Sequence, residues 1–150
     1  MLLKTHLAFA ALFIILFIQH VNSPLIFAGM VILATIIPDL DSGFTNFGRH
    51  LIFRPLQFFV KHRGIIHSLT MAILLSFLIA VFFPVASLGF FVGYSIHIVS
   101  DSFTKEGIQP FWPFRARSYG FISTGGRIEE TLFFSFIFVD IAVFILVFLI

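Results

Sequence analysis

Apolar residues in this 150-residue chain are gathered into five long stretches separated by polar segments. The stretches cover residues 7–21, 24–37, 69–83, 85–99 and 131–150. Soluble domains carry roughly 25% charged residues, whereas this chain carries 11%, together with 59% apolar residues and a mean hydropathy of +1.10. Lipid is therefore the expected solvent. The sequence predicts an all-α membrane protein, a bundle of about five transmembrane helices forming a single domain over residues 1–150.

The first four stretches are shorter than the roughly 20 residues that cross a bilayer. We therefore expect the helices to extend into their polar ends, which places His6 on the first helix and His97 on the fourth. A secretory signal peptide is the alternative for the first stretch, but no A-x-A pattern is present and Pro24 would directly follow the cleavage site. Residues 51–60 predict a short interfacial helix or a buried re-entrant segment.

All nine basic residues fall on one side of the predicted bundle. With five spans, the amino terminus and the 38–68 and 100–130 loops share that side. The positive-inside bias makes it cytoplasmic and leaves the carboxyl terminus outside. A formal net charge of +2 is too small to indicate a nucleic acid partner. The nine residues are Lys4, Arg49, Arg54, Lys61, Arg63, Lys105, Arg115, Arg117 and Arg127.

Most of the histidines and several carboxylates are predicted to lie at this same end of the bundle. They are His6, Asp39, Asp41, His62, His67, His97 and Asp101. Ionisable groups at membrane depth need partners, and a chain without cysteine must hold any metal through histidine and carboxylate. The sequence therefore predicts a divalent metal site at the cytoplasmic end.

The spacing of these residues supports the metal site to different degrees. His97 and Asp101 stand four apart at the end of the fourth helix, so one helical face presents both. Asp39 and Asp41 point the same way only if the chain after Pro38 is extended. The alternatives are a hydrogen bond between helices for the first pair and a turn residue for one of the two aspartates.

His62 and His67 lie some 140° apart around an ideal helix and cannot share a helical face. We therefore expect His62 on the loop and His67 at the start of the third helix. His20 and His50 are interpreted as polar residues at headgroup level. Asp140, in the middle of the fifth span, is expected to pair with another helix or a partner subunit.

Several short motifs occur along the chain in a fixed order, and together they resemble the signature of a known family. That family is the YdjM-like, LexA-regulated membrane-bound metal-dependent hydrolases, which are similar to zinc-dependent phospholipase C. The resemblance covers nearly the whole chain. The motifs are Thr5-His6, Pro38-Asp39-Leu40-Asp41, His62-Arg63-Gly64, His67-Ser68, Gly93-Tyr94 with His97 and Asp101, then Thr104, Gly107, Pro110, Trp112-Pro113, Thr124-Gly125 and Glu129.

The resemblance implies a helical fold like the zinc-dependent phospholipase C core, with one or two zinc ions as cofactor. It implies that the metal ligands are His6, Asp39, His67, His97 and Asp101. Asp41, His62 and Glu129 follow as further ligands or as residues that support the ligands. The chain departs from the soluble relatives, which bind several zinc ions through more histidines and an amino-terminal residue.

A zinc site implies a bound water whose pKa is lowered to about 7 and which acts as the nucleophile. Asp41 or Asp101 is expected to take its proton, while Arg63 either pairs with a phosphate oxygen or anchors headgroups. A site at the cytoplasmic headgroup level predicts a membrane lipid or a lipid-linked anionic phosphoester as substrate.

Two other functions are compatible with clustered histidine and aspartate: a metal-ion or proton transporter, and a non-catalytic membrane binding protein. A transporter should continue its polar residues along a path to the opposite face, where the sequence offers only Asp140 and His20. No sequence feature indicates an oligomeric state.

Overall fold

Five α-helices make up the architecture of the computed structural model, which describes residues 1–41, 50–51, 54, 58 and 63–149. The helices are α1 (Leu3–Phe17), α2 (Pro24–Ile36), α3 (Leu69–Phe82), α4 (Pro84–Ser102) and α5 (Arg127–Phe148). Short 3-10 helices, Ile18–His20 and Ile37–Asp41, follow α1 and α2. Within these residues the only β structure is two isolated bridges. The all-α prediction is confirmed.

Helices α1 and α4 extend into polar residues beyond their apolar stretches, as expected, and α2 continues as a 3-10 helix to Asp41, whereas α3 does not extend beyond its stretch. Because α1 begins at Leu3 and α4 ends at Ser102, His6 and His97 both lie on helices. The segments Leu3–His20, Pro24–Asp41 and Arg127–Phe148 are long and apolar enough to cross a membrane, whereas α3 is apolar but shorter. Large apolar side chains on α3 and α5 are more than 60% exposed and therefore face lipid. They include Phe77, Phe82, Phe134, Phe138 and Leu146.

Three local predictions were wrong. The chain after Pro38 is not extended: Ile37–Asp41 forms a 3-10 helix, whose first turn tolerates proline because no hydrogen bond is lost there. His67 does not open α3. It precedes Ser68, which fills the N-cap position and accepts a backbone hydrogen bond from the first helical turn at 3.1 Å.

The third correction concerns the fifth helix, which begins one turn before its predicted start at residue 131. Its first turn therefore contains Glu129, which had been assigned to the loop. The predicted interfacial segment over residues 51–60 lies mostly outside the described residues, and His62 lies wholly outside them.

Helices α2 and α4 pack so closely that their backbones touch. A Cβ added at Gly93 would lie 2.2 Å from the carbonyl oxygen of Val31, and one at Gly89 would lie 2.7 Å from another α2 carbonyl oxygen. Small residues four apart allow this approach between membrane helices. Thr35 Oγ1 lies 2.7 Å from the Val31 oxygen and 3.2 Å from the Gly93 oxygen. We call this contact the α2–α4 seam, and it brings Thr35 beside His97.

Helices α1 and α5 instead meet through side chains, in a contact that we call the α1–α5 seam. Phe9 stacks on Phe136 with ring centroids 4.8 Å apart, and the Lys4 ammonium lies 4.8 Å from the Phe133 ring centroid. At the far end of the seam, Gln19 Nε2 donates to a backbone carbonyl of α5 at 3.0 Å.

The loop between α4 and α5 folds back over the end of the bundle that carries His97. Its Ile108 and Ser118 exchange two backbone hydrogen bonds, and the Pro110 carbonyl accepts from the Leu69 N–H at 2.8 Å. The loop is thereby joined to the start of α3.

Candidate metal centre

Six of the predicted site residues converge at one end of the bundle and are buried there. They come from four separate parts of the chain: the first turn of α1, the 3-10 helix after α2, the residue before the α3 cap, and the last turns of α4. The six are His6, Asp39, Asp41, His67, His97 and Asp101. Side chains that are distant in sequence are thus within reach of one another.

His97 occupies the middle of this cluster. Its Nδ1 lies 2.8 Å from the carbonyl oxygen of Thr35. Because a carbonyl only accepts, Nδ1 carries the proton, and in the neutral ring Nε2 then carries the lone pair. That Nε2 lies 3.3 Å from His67 Nε2, 3.7 Å from Asp101 Oδ2 and 3.8 Å from Asp39 Oδ1.

His67 is oriented in the same way by a carboxylate. Its Nδ1 lies 3.1 Å from Asp41 Oδ2, an arrangement that fixes the tautomer of metal-binding histidines. With Nδ1 protonated, Nε2 presents its lone pair toward His97 and lies 3.7 Å from Asp101 Oδ2. Two imidazole lone pairs therefore face each other, an arrangement that a cation between them stabilises.

The donor set fits zinc. Two nitrogens that each lie 2.0–2.1 Å from one tetrahedral zinc are themselves about 3.3–3.4 Å apart, and the His67–His97 separation is 3.3 Å. Among the described residues, two groups of three have ligand atoms within 4.8 Å of one another, and both contain His97. The groups are His6, His97, Asp101 and Asp39, His67, His97.

His6 is completely buried, and within the described part of the chain neither of its ring nitrogens has a hydrogen-bond partner. The ring stacks on His97 with centroids 4.1 Å apart. Its Nε2 lies 3.4 Å from Asp101 Oδ1, an oxygen that the Met1 amino group also contacts. Buried polar atoms normally have partners, so His6 has the unmet requirement that a metal ion would satisfy.

Comparison with known proteins shows the family of this chain. The whole chain, residues 1–150, matches the family described as YdjM inner membrane protein. The chain belongs to this family. Two relatives named Inner membrane protein YdjM, from Escherichia coli (strain K12) and Shigella flexneri, are each 36% identical to it over 95 residues. The match covers 57% of this chain and 48% of each relative, so the chain spans about half the length of the curated relatives it matches.

No solved structure matches the chain. The family and the apolar helices together establish that this YdjM-family chain is a membrane protein. The resemblance noted from the short motifs is thereby confirmed at the level of the family.

Glu129 is fully buried in the YdjM-family chain, and its described contacts are hydrogen bonds to backbone N–H groups and to a threonine hydroxyl. Its carboxylate accepts from the backbone N–H of Leu2, from Thr5 Oγ1 at 3.0 Å and from the Gly125 N–H at 2.6 Å. Neither three-residue group includes it. Glu129 therefore joins the first turns of α1 and α5 next to His6, and its role as a ligand remains a prediction.

Arg63 lies beside the cluster in a left-handed backbone conformation, with φ of 60°. Its guanidinium contacts Asp101 Oδ2 at 3.7 Å and Glu106 at 3.5 Å, and it donates to Thr104 Oγ1 at 3.1 Å and the Gly107 carbonyl at 3.3 Å. Arg63 thus links a cluster carboxylate to the loop after α4.

Two residues that the sequence reasoning missed hold the histidines in place. The Thr35 carbonyl orients His97, and the Tyr94 hydroxyl donates to the Ile66 carbonyl at 2.6 Å, fixing the backbone next to His67. The Gly93-Tyr94 motif was a signal for the second of these. Every residue type has a backbone carbonyl, so the sequence contains no signal that Thr35 orients His97.

Three other residues that the sequence singled out, His20, His50 and Asp140, lie outside both three-residue groups. His20 is exposed at the opposite end of the bundle, beside the α3–α4 turn, and His50 is also exposed. Asp140 is buried on α5, and its Oδ1 has no hydrogen-bond partner within the described residues. The structure does not assign Asp140 a partner helix.

Proposed function

We propose that this YdjM-family protein is a membrane-bound metal-dependent hydrolase that cleaves a phosphoester of a lipid or lipid-linked substrate. One observation carries the proposal: His67 and His97 direct Nε2 atoms at each other across 3.3 Å while both Nδ1 atoms are engaged elsewhere. Carboxylates from Asp39 and Asp101 approach the same point, which favours a divalent cation over a shared proton.

The residues that would hold one or two zinc ions are His6, Asp39, His67, His97 and Asp101. Bound zinc supplies Lewis acidity, which polarises a phosphoryl oxygen and lowers the pKa of a water to about 7. Asp41 stabilises the tautomer of His67 that presents Nε2 to the cluster. The carboxylates of Asp41 and Asp101 adjoin the histidines and can accept a proton from a water there.

Arg63 provides positive charge on the loop side of the cluster, 3.7 Å from Asp101. A guanidinium can form paired hydrogen bonds with a phosphate while retaining contacts through its other N–H groups. The positive-inside bias supports a cytoplasmic site, and the basic residues near the helix ends there suit an anionic headgroup. These features together support an anionic lipid phosphoester as substrate class.

The rival functions receive less support from the described residues. Among the described residues, the buried carboxylates outside the cluster are Glu129, which bonds to Thr5 next to His6, and Asp140 on α5, so these carboxylates form no path from the site toward the exposed His20. A transporter would need such a path. A non-catalytic binding protein does not require three buried imidazoles that converge with carboxylates on one point.

The first test is the metal content of detergent-purified protein. We expect about one or two zinc ions per chain in the unaltered protein and none, or a small fraction, in His97→Ala. His20→Ala is the matched control because it removes an exposed imidazole at the opposite end, and it should keep the full metal content. Equal metal in all three proteins would contradict the proposed centre.

The second test is hydrolysis by the zinc-loaded protein of a panel of phospholipids and polyprenyl phosphates. We expect release of a phosphate-containing product that His97→Ala abolishes and His20→Ala preserves. A zinc-loaded protein that leaves every member of the panel intact would reject the hydrolase proposal while leaving the metal centre standing.

A further inference from the structure

An apolar cavity of about 320 Å³ opens beside the metal centre, between α1, the end of α4 and α5. Thr5 and Phe9 line it on α1, and Ile128, Leu132 and Phe136 line it on α5. The eight residue steps from Ile128 to Phe136, at 1.5 Å each, make the α5 wall about 12 Å long. The cavity is therefore a groove along the α1–α5 seam, running parallel to the helices that cross the bilayer.

The polar end of this groove adjoins the candidate ligands. Thr5 precedes His6, Ser100 precedes Asp101, and both line the groove. Met1 also lines the groove, and its amino group contacts Asp101. All other lining side chains are apolar. A ligand lying in the groove would thus have a hydrocarbon body and a polar end at the cluster.

The mouth of the groove is formed by apolar side chains that are half exposed or more. Phe103 is 51%, Phe121 67% and Ile128 50% exposed. Two exposed basic residues, Lys4 and Arg127, directly precede the lining residues at the starts of α1 and α5. This combination of apolar entrance and adjacent positive charge matches an anionic lipid entering from the membrane.

We propose that this groove binds one hydrocarbon chain of an anionic glycerophospholipid and so aligns its phosphoester with the cluster. The identification of that lipid as substrate rests on the hydrolase proposal; the chain-binding site does not. The volume is at the lower end for small-molecule pockets, which suits a single chain. The length and branching of the lipid's acyl chain would then contribute to substrate selection, in addition to contacts with the headgroup.

The test uses phosphatidylglycerol with a photoreactive diazirine in one acyl chain, incorporated with the full-length protein into nanodiscs. Irradiation followed by peptide mass spectrometry maps the labelled residues. We expect labels on Phe9, Leu132 and Phe136. Leu132→Trp, which fills the groove, should lower this labelling about tenfold, equivalent to about 1.4 kcal/mol.

Phe138→Trp is the matched control, since Phe138 lies on the same helix with 75% of its surface exposed to lipid. It should leave the groove labelling unchanged. Zinc content of each variant reports whether the cluster has folded. If Leu132→Trp loses its zinc, Leu132→Ala replaces it: this variant widens the groove and should retain the labels while accepting a methyl-branched chain probe that the unaltered protein excludes.

Labels spread evenly over the outer faces of α3 and α5, unchanged by Leu132→Trp, would overturn the groove assignment. Crosslinks that join two copies of the chain through Leu132 would overturn it as well, because a second copy would then occupy the groove. Groove labelling without hydrolysis of any phosphoester would support the chain site and reject the hydrolase proposal. Hydrolysis without groove labelling would support the hydrolase proposal and reject the groove as the acyl-chain site.

Discussion

The α2–α4 and α1–α5 seams each pack two helices together, the first through backbone contact and the second through side chains. Along the first, Gly93 lets two backbones touch, and an added Cβ would meet a carbonyl oxygen at 2.2 Å. Along the second, phenylalanine rings stack at 4.8 Å and a cavity of about 320 Å³ remains. The tight α2–α4 seam thus fixes the position of His97 in the cluster, whereas the loose α1–α5 seam leaves the cavity in which we propose that a lipid chain binds.

Each seam also delivers a different kind of support to the cluster. The α2–α4 seam brings the Thr35 carbonyl against His97, so a backbone position controls a tautomer. The α1–α5 seam brings Glu129 against Thr5, so one carboxylate controls the position of the turn that carries His6. Variants of the tight seam should therefore affect metal binding more strongly than variants of the loose one.

The largest effect is expected from Gly93→Ala. Its new Cβ cannot fit without separating α2 from α4, so we expect loss of bound zinc and a fall in melting temperature of ten degrees or more, about the result of a severe overpacking defect. Gly29→Ala is the control, since a Cβ there meets nothing within 4 Å and should stabilise α2 slightly. Similar melting curves for both variants would refute the close approach.

The next effect is expected from Asp41→Ala, which removes the acceptor for His67 Nδ1. Loss of a residue that orients a metal ligand typically lowers affinity about 10- to 100-fold, and competition with a chromophoric zinc chelator measures this. Asp41→Asn keeps an acceptor oxygen without the charge. Its zinc affinity should therefore fall between that of the unaltered protein and that of Asp41→Ala. An unchanged zinc affinity in Asp41→Ala would remove this residue from the centre.

A smaller effect is expected from Glu129→Gln on the loose seam. The amide cannot accept all three hydrogen bonds equally well, so the first turns of α1 and α5 should loosen by about 1–3 kcal/mol. Melting temperature and zinc affinity both report the change. Glu130→Gln, one residue along and exposed, should match the unaltered protein. If Glu129→Gln abolished zinc binding while the melting temperature held, direct ligation would be indicated instead.

The smallest effect is expected from Gln19→Ala at the opposite end of the α1–α5 seam. Its hydrogen bond to Val147 is exposed, and exposed substitutions usually change stability by no more than about 0.5 kcal/mol. Melting temperature and zinc affinity should both stay unchanged. A shift as large as that of Glu129→Gln would mean that the loose seam is anchored at both ends.

Helix number and the convergence of the cluster were predictable from sequence because both follow from hydropathy and helical spacing. Five apolar stretches require five helices, and alternating direction puts His6, Asp39, His67 and His97 at one end. The four-residue spacing of His97 and Asp101 likewise survives in the structure, at 3.7 Å between the facing atoms.

Other features depend on contacts that no local pattern encodes. The chain after Pro38 was expected to be extended, but the 3-10 helix there sends Asp39 toward His97 and Asp41 toward His67. The start of α5 was misplaced because hydropathy does not register the polar first turn that contains Glu129. Metal identity is a prediction that the zinc measurements above test, and the phosphate role of Arg63 stays a prediction.

The bonds to Glu129 also impose an order on biosynthesis. Leu2 and Thr5 emerge from the ribosome well before their acceptor, which is synthesised more than a hundred residues later. The first turn of α1 therefore waits, with these donors unmatched, until the start of α5 has been synthesised. Completion of the cluster is in this way tied to the synthesis of α5 rather than to the helices that carry the candidate ligands.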